Sequence, residues 1–159
     1  MTKEVKQQFT LRITQANSTE LVVILYEMAL IFLQEAKEAG SRQAWSEYGE
    51  AIRKTRGCLN ELLQSLHFEY EPAKNLYKLY MFCIRRLAYA QVRKEVQVLD
   101  EIESVLGKLK DAYARIAPTN SAAPVMSNTQ TVYSGLTYGK GAALAEDVTG
   151  QSANRGMLV

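Results

Sequence analysis

From Leu21 to Leu33 the chain is apolar at 12 of 13 positions, interrupted only by Glu27. Just ahead of this run, Asn17 is a good helix N-cap. Glu20, three residues on, completes a capping-box pattern with Asn in place of Ser or Thr. A first helix is therefore expected from Asn17 to about Ala39, with Gly40 as its stop. A second helix is expected to begin near Ser41. In it Trp45, Tyr48, Ile52, Thr55, Leu59, Leu62 and Leu66 recur at alternating spacings of three and four, an unbroken seam along one face. The segment from His67 to Pro72 ends that helix, and Pro72 suits the first turn of the next. The third helix carries Leu76, Tyr80, Cys83, Leu87 and Ala90 in the same rhythm. Continued in phase, it would place Lys94, Gln97, Glu101 and Ser104 in the core. Instead the apolar seam resumes at Leu99, Ile102, Leu106, Leu109, Tyr113 and Ile116. This break near Gln91–Glu95 predicts a tight turn into a fourth helix; a continuous helix, locally unwound, is the other reading.

Four helices joined by short connections predict an all-α fold, an antiparallel up-and-down four-helix bundle. Residues 1–16, with Val5, Phe9, Leu11 and Ile13, are too polar for a main helix and are expected to form a short helix or arm across the bundle. Composition shifts at Ala117/Pro118. The 42 residues that follow hold four charges, Lys140, Glu146, Asp147 and Arg155. The expected division is thus a helical body over 1–117 and an irregular, low-charge C-terminal tail over 118–159. The tail keeps apolar residues such as Val132, Tyr133, Leu136 and Leu144. Two readings stand for it: a flexible extension, or a tethered segment folded back over an apolar groove.

Two of the helices carry more apolar surface than one stripe requires. In the first, Val22, Leu25, Ala29, Phe32 and Ala36 are taken as the core stripe, which leaves Leu21, Ile24, Met28 and Ile31 as a second. In the third, 12 of the 15 residues from Leu76 to Ala90 are apolar, and Tyr77, Met81, Ile84 and Ala88 form a stripe beside the core seam. Internal burial, with the arm or tail as cover, would account for both. The sharper reading is a groove for a partner helix, where methionines such as Met28 and Met81 adapt their shape. The candidate partner-binding residues are Ile24, Met28, Ile31, Tyr77, Met81, Ile84 and Ala88. Of these, Met28, Ile31, Tyr77, Met81 and Ile84 are expected to be partly exposed.

Charge and composition remove most alternatives. With 19 basic and 17 acidic residues the net charge is +2, too balanced for a dedicated nucleic-acid binder. A membrane span needs about 20 apolar residues, and the run at Leu21–Leu33 is followed at once by Gln34, Glu35, Lys37 and Glu38. The opening residues are polar, unlike a secretory leader, so a cytoplasmic protein with free thiols is expected. Cys58 and Cys83 form no CxxC, and no disulfide between them is expected. His67 is the single histidine. Glu-x-x-His pairs, which a di-iron bundle needs, are missing, as are phosphate-binding glycine motifs. No catalytic residue, metal or cofactor is expected.

The stretch Ala16-Asn-Ser-Thr-Glu-Leu-Val-Val-Ile-Leu-Tyr-Glu-Met-Ala resembles the first long helix of the flagellar export chaperone FliS family, which reads Ala-Ser-Pro-Glu-Glu-Leu and then Leu-Tyr-Asp-Gly-Ala. A second match runs through Asn75-Leu-Tyr-Lys-Leu-Tyr-Met and Ile84-Arg-Arg-Leu-Ala-Tyr-Ala, and a third through Val98-Leu-Asp-Glu-Ile to Asp111-Ala-Tyr. Together they cover about residues 9–116. Asn17-Ser18 stands where the family has Ser-Pro, and Phe9 where it has a characteristic Tyr. The resemblance implies a four-helix-bundle chaperone that binds the C-terminal segment of flagellin in the cytoplasm. It would mask the client stoichiometrically, without ATP, and deliver it to the flagellar type III export gate. Such a client is disordered when free and folds on the chaperone, so it must bury a large apolar surface. An adaptor or dimerisation bundle without a flagellin client is the alternative, and monomer and dimer are both open.

Overall fold

The structure, a computed structural model, describes residues 1–125. Expectations for the tail from residue 126 onward lie outside them. The described residues form five α-helices and no strands: α1 Lys3–Gln15, α2 Ser18–Ser41, α3 Trp45–Gln64, α4 Glu71–Arg93 and α5 Val98–Ile116, followed by a 3-10 turn at Ala117–Thr119. None of these helices is long and apolar enough to cross a membrane.

Local chemistry sets the boundaries. Thr2 caps α1, and its hydroxyl accepts from the Val5 N–H. The capping box of α2 is complete: the Asn17 side chain accepts from the Glu20 N–H at 2.9 Å, and Glu20 accepts from the Asn17 N–H at 2.9 Å. The expected stop at Gly40 is not the end of α2, which runs on to Ser41. Gly40 is glycine because Val96 and the Tyr48 ring crowd its Cα. The next helix starts at Trp45 rather than near Ser41, because Gln43 turns the chain in left-handed backbone at φ 57°. Lys94 does the same after α4, also at φ 57°, and the Glu95 N–H closes the turn on the Ala90 carbonyl at 3.2 Å. The register break is thus a turn between two helices.

α2 packs against α3 and α5, α4 packs against the same two, and α1 lies on α2. The seams expected for α3 and α4 are the ones that face inward. Tyr48, Ile52, Thr55, Leu59 and Leu62 are buried, as are Leu76, Tyr80, Cys83, Leu87 and Ala90. On α5, Leu99, Ile102 and Leu106 are buried, while Ile116 at the far end is 51% exposed. The stripe chosen for α2 needs correction. Tyr26, Ala29, Leu33 and Ala36 carry its core face, whereas Val22, Leu25 and Phe32 are half-buried at its edge. An almost continuous apolar run has no polar face to fix its phase.

Buried side-chain nitrogen and oxygen atoms are all hydrogen-bonded among the described residues. Tyr26 and Tyr80 share a hydroxyl–hydroxyl hydrogen bond across the core, and the Tyr48 hydroxyl donates to the Ala90 carbonyl at 3.0 Å. Lys37 on α2 pairs with Asp100 and Glu103 on α5, both at 2.5 Å. Arg86 grips Glu101 with two hydrogen bonds at 2.7 and 2.9 Å. Cys58 and Cys83 are free and buried. Burial pushes the Cys58 thiol up to about 12 and the Cys83 thiol up to about 11.

Candidate functional site

The seven candidate residues fall on two separate surfaces. The first is the outer stripe of α2, and α1 lies on it. Val5, Phe9 and Ile13 recur every four residues along α1 and meet Leu21, Ile24, Met28 and Ile31, with Ala16 closing the end. Phe9 and Ala16 are buried, and Ile24 is only 2% exposed. Met28 and Ile31 are half-buried. Arg12 fastens the contact from its edge: it pairs with Glu27 at 2.5 Å and lies 5.5 Å from the centre of the Phe9 ring. A polar-looking N-terminal segment thus supplies the apolar cover for three of the seven candidate residues, Ile24, Met28 and Ile31. The spacing of Val5, Phe9 and Ile13 was the signal for it.

The second surface is the outer stripe of α4. Tyr77 is 43% exposed, Met81 and Ile84 are half-buried, and Ala88 is exposed. Ile84 also touches the main core, so part of its surface is committed there. Three exposed residues that sequence reasoning did not single out extend the apolar surface: Phe68, Tyr70 and Val92. Phe68 packs edge-on against Tyr77, with ring centres 5.9 Å apart. Val92 follows Ala88 by four residues and so continues the stripe. Both Phe68 and Tyr70 lie in the α3–α4 connection, where helical periodicity gives no signal.

A hollow of about 560 Å³ opens at the α1–α2 elbow, lined by Arg12, Ala16, Glu20, Val23, Ala114 and Pro118. Nothing at either stripe resembles a reaction centre. His67 is exposed in the α3–α4 connection, and its carbonyl accepts from the Tyr70 N–H at 3.1 Å. Among the described residues no group of three or more His, Cys, Asp or Glu is arranged to hold a metal ion. What the two stripes offer is apolar, shape-adaptable area of helical length, suited to another helix.

Comparison with known proteins supplies the biological context. The family model described as "Flagellar protein FliS" matches residues 1–120. The flagellar secretion chaperone FliSB of Pseudomonas aeruginosa is 31% identical over 108 residues, which cover 67% of this chain and 86% of that protein. The flagellar secretion chaperone FliS of Salmonella typhimurium is 30% identical over 112 residues, covering 69% of this chain and 83% of the relative. That of Bacillus subtilis is 25% identical over 101 residues, covering 64% and 76%. The matched region takes in all five helices, both apolar stripes and the capped elbow between α1 and α2, and the chain belongs to the FliS family of flagellar secretion chaperones.

Proposed function

We propose that this protein is a cytoplasmic chaperone that binds the C-terminal segment of flagellin, keeps it from polymerising early and supports its delivery to the flagellar type III export gate. The observation that carries this reading is the apolar stripe Tyr77, Met81, Ile84 and Ala88, which no helix of the described chain covers as α1 covers α2. A stripe of that length suits the apolar face of an amphipathic client helix. Family membership supplies the flagellar context, and the relatives are named as secretion chaperones. Masking of this kind is stoichiometric and needs neither ATP nor a cofactor.

On this reading α2–α5 make an antiparallel up-and-down four-helix bundle, 1–117 is the client-binding body and 118–159 an appended tail. Ion pairing of Lys37, late in α2, with Asp100 and Glu103, early in α5, supports opposed directions for those two helices. The hydrogen bond from Asn120, beyond α5, to Thr19, at the start of α2, supports the same. Ile24, Met28 and Ile31 join the client surface only when α1 leaves them, so client and α1 compete for the α2 stripe.

Native mass spectrometry with a peptide of the C-terminal segment of flagellin from the same cell tests this. A 1:1 complex is expected, together with inhibition of flagellin polymerisation by equimolar protein. A self-dimer that ignores the peptide would overturn the proposal and favour an adaptor role.

A further inference from the structure

The α1–α2 elbow is gripped from outside by the segment that follows α5. The elbow consists of Ala16 and Asn17, both in extended backbone and only 3% and 5% exposed. The Ala16 carbonyl accepts from the Val125 N–H at 3.1 Å. Asn17 is engaged on three sides. Besides its two capping-box bonds with Glu20, its Nδ2 donates to the Asn120 carbonyl at 3.1 Å. Asn120 answers with its own Nδ2, which donates to the Thr19 hydroxyl at 2.8 Å. The Oδ1 of Asn120 accepts from the Ala122 N–H at 3.0 Å and so folds the segment where it meets the elbow.

Capping α2 requires only an acceptor at residue 17, and Ser, Thr or Asp would provide one. The amide donor of Asn17 is surplus to the cap, and it is spent on the segment beyond α5. α1 is docked by Val5, Phe9 and Ile13 and by two ion pairs to α2, Arg12 with Glu27 and the Met1 ammonium with Glu35, but it has little helical stability of its own. Its 13 residues are near the length at which an isolated helix is marginal in water, about 12–15 residues. Its helical state therefore depends on staying docked.

We propose that residues 120–125 are a latch on the elbow. They hold α1 down over Ile24, Met28 and Ile31, and breaking their few hydrogen bonds, without unfolding the body, governs how often the α2 stripe is uncovered. The consequence for client binding rests on the reading above that the α2 stripe belongs to the client surface; the latch itself does not.

Hydrogen–deuterium exchange on the full chain separates the two. Asn17→Ser keeps a capping oxygen but removes the donor to Asn120, and a second variant adds Asn120→Ala to remove the bond to Thr19 as well. Exchange across Lys3–Gln15 should quicken by about fivefold in the first variant, the factor that corresponds to one net hydrogen bond, and by more in the second. Exchange in α3 and α4 should not move. Unchanged exchange in α1, or equal quickening in every helix, overturns the latch. The second arm measures affinity for the flagellin C-terminal peptide. Tighter binding by the loosened variants supports the latch as a regulator of client access. Unchanged or weaker binding beside quickened α1 exchange keeps the latch and removes the α2 stripe from the client surface.

Discussion

Gly40 and Gly57 are both helical glycines with opposite reasons. A Cβ at Gly40 would run into Val96 and the Tyr48 ring, whereas one at Gly57 would meet nothing within 4 Å. Gly57→Ala should therefore raise stability by about 0.5–1 kcal/mol through helix propensity and a less disordered unfolded chain. Gly40→Ala should lower it by about 1–3 kcal/mol through overpacking. Thermal melting of the two variants would read the opposite signs. From the sequence Gly40 looked like a helix stop, because the contact that demands glycine comes from Val96, on the far side of two further helices. Thiols and phenols show a second residue-scale effect. Burial raises Cys58 to about 12, Cys83 to about 11 and Tyr80 to about 12, and raises Tyr26 as well. The folded chain holds protons that the unfolded chain releases, so this contribution is intact below pH about 9 and fades as pH climbs toward 11–12. Urea titrations should show stability falling over that alkaline window, and Cys58→Ala with Cys83→Ala should make the fall shallower while the tyrosines preserve part of it.

α3 and α4 could be phased from sequence because each has a polar face opposite its seam: Glu50, Arg53 and Lys54 on one, Lys74, Lys78 and Arg85 on the other. α2 offered no such reference. Its core face fell one position away from the expected stripe at Tyr26 and again at Leu33. The candidate site divides the same way. The partial exposure of Tyr77, Met81 and Ile84 was legible, since a second apolar stripe on a helix with two neighbours has to emerge somewhere. The burial of Ile24 was not, since it depends on α1, whose three apolar contacts are scattered among polar residues. Two substitutions put this difference to the test. Ala88→Asp on α4 places a charge where a client helix would lie but touches no core, so flagellin-peptide affinity should drop at least about tenfold with an unchanged melting temperature. Ile24→Asp on α2 buries a charge beneath Phe9 and should cost about 3 kcal/mol or more, visible as a large loss in melting temperature before any ligand is added. An unchanged melting point for Ile24→Asp would mean that α1 does not seal the stripe in solution.

At the scale of the molecule, α1 and the residues before it are held to the body by one helix, two ion pairs (Arg12 with Glu27, the Met1 ammonium with Glu35) and the strap at the elbow, while α2–α5 share a single apolar cluster. Removal of residues 1–15 should leave α2–α5 helical by circular dichroism, lower the melting temperature and raise ANS fluorescence as Leu21, Ile24, Met28 and Ile31 come into contact with water. ANS binding equal to that of the full chain would show the α2 stripe to be accessible already. The arrangement also bears on how the chain is made. α2 is apolar on almost every side because three elements end up packed on it, yet α3 and α5 do not exist when α2 leaves the ribosome. α1 does, and it is joined to α2 through an elbow of two residues, so the contact closes with little loop entropy. A nascent chain therefore carries an apolar partner for one stripe of its stickiest segment, Leu21, Ile24, Met28 and Ile31, before the later helices and the latch at residues 120–125 are made. Phe9→Asp should accordingly lower soluble yield during synthesis as well as the melting temperature of the protein recovered: on the proposed function, a protein that shields another chain before assembly would first have shielded part of itself.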